Sequence, residues 1–146
     1  MKKILYIIAI TGVFLVSFPL TARKKNKKVV IAPESVEFIN THFQGITIDK
    51  SEIERNTETL EYAVKLDNGD RIVFDEKGEW QEVKAGESGM IPRTLLPDTI
   101  YKYIAFKYPQ RNIIETKKNS VGYKVELANG VELIFSSTGK FIRKNK

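Results

Sequence analysis

Residues 62–80 read YAVKLDNGDRIVFDEKGEW, and residues 123–141 read YKVELANGVELIFSSTGKF. Tyr62, Val64, Leu66, Asn68, Gly69, Phe74 and Gly78 recur as Tyr123, Val125, Leu127, Asn129, Gly130, Phe135 and Gly139 at identical spacing. Trp80 is answered by Phe141, another aromatic residue. Apolar and polar residues alternate in each copy, the mark of a strand with one dry and one wet face. The Asn-Gly pair between the alternating runs marks a tight hairpin, because such turns need positive φ. Gly78 and Gly139 mark a second turn before a short closing strand.

Working outward, each copy is preceded by a helical pattern. Pro33 and Glu34 open a helix on which Val36, Ile39 and Phe43 share a face, and Gly45 ends it. Pro97 and Asp98 open another carrying Ile100, Ile104 and Tyr108, and Pro109 stops it. Phe38-Ile39 in the first answers Tyr103-Ile104 in the second. ITID (Ile46 to Asp49) and NIIE (Asn112 to Glu115) read as further strands. The expected fold is therefore α+β: two tandem repeats, each one helix on a roughly four-stranded antiparallel meander. Repeat 1 spans 33–84, a linker 85–96, and repeat 2 spans 97–146.

The N-terminus carries a different signal. Lys2 and Lys3 precede an apolar run from Ile4 to Phe18, and Ala22 stands at a cleavage-like position. This order predicts a signal peptide over residues 1–22 and a periplasmic or secreted protein. An uncleaved N-terminal anchor is the alternative, since 4–22 approaches the roughly 20 residues of a spanning helix. A basic segment, 23–32, follows; after cleavage no stable membrane insertion is expected.

The chain of 146 residues has 24 Lys and Arg against 18 Asp and Glu, one His and no Cys. Disulfides, thiolate chemistry and Cys-based metal sites are excluded. After cleavage at Ala22, 22 basic groups remain against 18 acidic ones, and nine of these cations lie at the two ends, in 23–28 and 140–146. A nucleic-acid binder needs its cations on a folded face, so nucleic acid is not an expected partner. Residues 29–88 carry 6 basic and 14 acidic groups, whereas 89–139 carry 7 and 4. That polarity can join the halves or orient a partner.

No catalytic constellation emerges. His42 is the sole imidazole and sits late on a helix. Asp67, Asp70 and Asp75 flank a hairpin but lack the spacing of a calcium loop, so no metal or cofactor is expected. The outward register of the sheet supplies the candidate surface: Lys65, Arg71, Val73, Lys124, Glu126, Glu132 and Ile134, with Trp80 and Phe141 on the closing strands. Val73 and Ile134 are apolar residues amid charges, a pattern of packing or of partner contact.

FINTHF, GYKVELANGVELIF, the GEW and GKF closings and the IPRTLLP linker together give the chain a family likeness. It resembles the β-lactamase-inhibitor-like, PepSY-like proteins of the bacterial envelope over about residues 29–146. The resemblance implies tandem helix-and-sheet units exported to the periplasm, and no activity established for the family as a whole. The expectation is a non-catalytic exported binding module for an envelope protein or peptide, including inhibition or modulation of an envelope enzyme. Carriage of a small lipid or anionic metabolite is the alternative.

Overall fold

In the computed structural model, residues 29–55 and 60–145 are described. The expected signal peptide and most of the basic segment fall outside them. Among the described residues no helix is long and apolar enough to cross a membrane.

The chain is α+β. Helix α1 (Pro33–His42) precedes strands β1 (Ile48–Arg55), β2 (Leu60–Leu66), β3 (Arg71–Phe74) and β4 (Trp80–Lys84). Helix α2 (Asp98–Lys107) precedes β5 (Ile113–Lys118), β6 (Gly122–Leu127), β7 (Glu132–Ser136) and β8 (Phe141–Lys144). All eight strands form one antiparallel sheet in chain order, β4 pairing directly with β5. Both helices lie on one face, where Ile39, Phe43, Ile100 and Ile104 join Val64, Leu66, Ile72, Phe74, Val125, Leu127, Leu133 and Phe135 in a single core.

Four hairpin turns share one construction. At the first, the Gly69 N–H donates to the Leu66 carbonyl (3.0 Å) and the Leu66 N–H to the Asp70 carbonyl (2.8 Å). Gly69, Gly78, Gly130 and Gly139 have φ between 78° and 84°, whereas Asn68 and Asn129 do not enter positive φ. These are three-residue loops in which glycine alone turns left-handed, rather than two-residue turns shared by Asn and Gly.

Three expectations are corrected, and one segment carries more than its expected role. Val36 is 39% exposed; Ser35 faces inward instead, and Phe38 packs on the core. The first strand runs on through the polar stretch to Arg55, because β2 supplies backbone partners all along it. Likewise β5 runs on to Lys118, opposite Tyr123. The segment 85–96 is more than a connection: Ile91, Leu95 and Leu96 are buried in the core, and the Ile91 N–H donates to the Ile113 carbonyl at 2.9 Å.

Candidate functional site

The helix-free face of the sheet carries the charges. Residues directly opposite across antiparallel strands share a face, so register sets the pattern. One row across β1 to β7 reads Lys50, Lys65, Arg71, Lys84, Glu115, Glu126, Glu132. The neighbouring row, extending to β8, reads Glu52, Ala63, Val73, Glu82, Lys117, Lys124, Ile134, Arg143. The first changes from cations to carboxylates between β4 and β5, and the second from carboxylates to cations. At this seam Lys84 meets Glu115 at 3.1 Å and Glu82 meets Lys117 at 2.8 Å.

Ion pairs then run across the rows. Arg71 meets Glu54 at 2.5 Å and Glu82 at 3.1 Å, Lys117 also meets Glu115 at 3.3 Å, and Lys124 meets Glu132 at 2.5 Å. Burial opposes the charge on Arg71, but Glu54 and Glu82 outweigh it and raise its pKa. Glu82 likewise raises the pKa of Lys117. For Glu115, burial pushes the carboxyl up, yet Lys84 and Lys117 prevail and hold it below its ordinary value. A carboxylate with a depressed folded pKa stabilises the fold above its unfolded pKa and loses that contribution as pH falls. Acid titration of unfolding therefore includes a Glu115 component below about pH 4.5. A Glu115→Gln variant should flatten stability between roughly pH 5 and 3 relative to the parent; identical acid limbs would contradict the assignment.

Three charges of these rows stand outside the ion pairs: Arg143, which bonds Asn145 instead, and Lys65 and Glu126, which sit among like charges. Lys65 lies directly between Lys50 and Arg71, and Glu126 directly between Glu115 and Glu132. Among the described residues neither has an opposite charge within 4.0 Å, while Lys50 takes Glu52 and Glu132 takes Lys124. Like charges directly opposite are destabilising.

Of the residues singled out in sequence, Lys65, Arg71, Lys124, Glu126, Glu132 and Ile134 share this face. Val73 faces the same way but is only 3% exposed beside Ala63 and the Arg71 ion pairs, so a rigid partner cannot reach it. Ile134 remains accessible, lining a depression of about 210 Å³ with Val121, Lys124 and Arg143. Trp80 and Phe141 lie on the opposite face, against the helices. Trp80 stacks on Phe38 at 6.2 Å, and Phe141 stacks on Tyr103 at 4.6 Å. Bulges at Gln81 and Ile142 advance the register by one residue and turn the Trp80 and Phe141 rings inward, opposite Phe74 and Phe135. Glu54, Glu82 and Arg143 also belong to the face, put there by strand register that no local sequence signal carries, and Val121 reaches it from the turn between β5 and β6.

The family described as "Putative beta-lactamase-inhibitor-like, PepSY-like" matches residues 60–143. A "putative periplasmic protein of unknown function" from Bacteroides vulgatus is 30% identical, over 85% of this chain and 96% of that one, with TM-score 0.74. A "putative calcium-regulated periplasmic protein" from Bacteroides thetaiotaomicron is 27% identical, over 80% and 91%, with TM-score 0.73. A third, a "putative periplasmic protein" of the DUF2874 family from B. vulgatus, is 28% identical, over 85% and 99%, with TM-score 0.72. No protein among curated sequences matches.

Proposed function

This chain belongs to the β-lactamase-inhibitor-like, PepSY-like family, and from that premise we propose that it is a non-catalytic, periplasmic module that docks a protein or peptide on the helix-free face of its sheet. The observation that carries this reading is the pair of uncompensated charges, Lys65 and Glu126. Each is held among like charges in the middle of an ordered face, where repulsion costs stability and, among the described residues, no ion pair within 4.0 Å offsets it. Local rules broken in this way mark functional positions. A partner presenting a carboxylate at Lys65 and a cation at Glu126 relieves both, and Ile134 supplies an apolar contact between paired charges. Inhibition or modulation of an envelope enzyme is one form such docking takes.

We also infer that the two halves descend from one duplicated unit, each helix shielding its own meander. The doubled sequence pattern and the order of elements support this. The periplasmic setting is supported by the relatives and by the basic, apolar, small-residue order of residues 1–22.

Calcium has no part in this reading. Asp70 accepts from the Gly86 N–H and Asn68 Nδ2, Asp67 from Thr47 Oγ1, and Asp75 from the Lys77 and Glu79 N–H groups. Each carboxylate already serves turn chemistry.

The test separates stability from binding. Glu126→Lys should stabilise the protein by about 0.5 kcal/mol, because a cation opposite Glu115 and Glu132 replaces repulsion with attraction. The same change should abolish capture of the partner from envelope extract and photo-crosslinking from position 134. A Glu126→Lys protein that crosslinks like the parent, or crosslinks made equally well from position 36 on the helix face, would overturn the assigned surface.

A further inference from the structure

A second site lies on the other side of the sheet, at the C-terminal end of α2. There a cleft of about 190 Å³ has an apolar floor of Ile91, Ile104 and Ile113 and a rim that includes Arg93, Gln110 and Arg111. We propose that it binds a carboxylate borne on one short apolar group, as at the C-terminal residue of a peptide or in a free short-chain acid. None of these residues belongs to the charged sheet face.

Charge gives the first reason. Among the described residues, neither Arg93 nor Arg111 has a carboxylate within 4.0 Å, whereas Arg71 on the sheet has two. Asp98 is taken by Lys102 at 2.8 Å. Arg93 lies over the Tyr101 ring at 5.1 Å, which orients its guanidinium without neutralising it. The Tyr101 hydroxyl donates to the Pro92 carbonyl at 2.9 Å, and burial pushes its pKa to about 12, so it stays uncharged. Two free guanidinium forks above an apolar floor match a carboxylate on a hydrocarbon group.

Backbone conformation gives the second. Both helices leave through the same turn: Phe43 N–H to Ile39 carbonyl and Ile46 N–H to Phe43 carbonyl after α1, Tyr108 N–H to Ile104 carbonyl and Arg111 N–H to Tyr108 carbonyl after α2. After α1 the left-handed position is Gly45, with φ 76°. After α2 it is Gln110, with φ 61°, the one non-glycine residue of positive φ among those described. Glycine solves this turn without strain. A glutamine held there, its residue lining the cleft, accepts strain that the fold does not require, and such strain gathers at binding sites.

Size narrows the ligand. A cleft of about 190 Å³ is below the roughly 300–1,000 Å³ typical of drug-sized ligands. One side-chain-sized group fits; a whole lipid does not.

The experiment is an NMR titration of the full mature chain, following the Ile91, Ile104 and Ile113 methyl groups. The probes are N-acetyl-alanyl-leucine, its C-terminal amide, hexanoate and hexanamide. The acids should shift these methyls, the matching amides should bind about tenfold more weakly or less, and the Arg93→Gln/Arg111→Gln double variant should lose a similar factor. Gln110→Gly should melt no lower than the parent yet bind more weakly. A peptide acid binding above hexanoate assigns the site to chain ends, and the reverse order assigns it to free acids. Amides binding as tightly as acids, unmoved methyls, or either variant binding like the parent would overturn the proposal.

Discussion

Replacing Asp70 by Ala should cost about 3 kcal/mol and lower Tm by roughly 10 °C, the largest loss expected from any single polar side chain here. Asp70 is 3% exposed. One oxygen accepts the Gly86 N–H at 2.7 Å and the other Asn68 Nδ2 at 2.8 Å, while its own N–H donates to Asn68 Oδ1 at 3.1 Å. The carboxylate thus clasps the β2–β3 turn to the start of the 85–96 segment. The clasp is tight: a Cβ on Gly86 would stand 2.2 Å from the Gly69 carbonyl carbon. Losing the carboxylate strands a buried donor and loosens the anchor of Ile91, Leu95 and Leu96 together. Hydrogen bonds to charged groups contribute about 1.5–3 kcal/mol each, and the orphaned amide adds its desolvation cost. Asp67→Ala is the control, since among the described residues its carboxylate bonds only exposed Thr47; it should fall within about 0.5 kcal/mol of the parent. Urea unfolding measures both. Equal midpoints for the two variants would refute the clasp.

Local signals made much of this molecule readable from sequence. Pro33, Gly45, Pro97 and Pro109 bound the helices because proline and glycine act on their own backbone. Val64, Leu66, Leu133 and Phe135 turned inward as alternation predicts, since the solvent gradient across one sheet face repeats every two residues. What escaped depends on partners distant in the chain. β1 is polar along most of its length and is a strand only because β2 lies beside it. Ile91, Leu95 and Leu96 follow no period, so their burial is decided by where the clasp sends them. Lys65 and Glu126 were legible as surface charges, but their isolation requires the register of three strands at once. The α2 cleft is still less local: the Ile91–Ile113 hydrogen bond brings Arg93 and Arg111 to one rim, and the φ of Gln110 has no signature in its side chain.

The faces of Trp80 and Phe141 show how a single bulge overturns a sequence reading, and they lead to the second large expectation. Trp80 stands between Phe38 at 6.2 Å and Tyr123 at 6.3 Å, with Lys118 Nζ 5.8 Å from its ring. Phe38 in turn meets Phe74 edge-on at 5.6 Å. The indole therefore couples α1 and β3 to β6, across a seam where only three residue pairs join β4 to β5. Phe141, at the matching place, makes its aromatic pairs with Tyr103 and Phe135, and both belong to its own half. Trp80→Ala should cost about 3–4 kcal/mol, and Phe141→Ala about 2 kcal/mol because β8 is an edge strand with solvent beyond it. The two losses should also differ in kind. Amide exchange in Trp80→Ala should separate, the β2–β4 amides opening at a lower free energy than those of β6–β8, because the stack that ties them is gone. In Phe141→Ala the acceleration should stay within β7 and β8. Trp80→Phe should restore most of the coupling, since a smaller ring still bridges Phe38 and Tyr123. Were Trp80 a docking residue instead, its alanine variant would keep the parent's Tm and lose only its partner; uniform exchange with unchanged stability would return the ring to the binding surface.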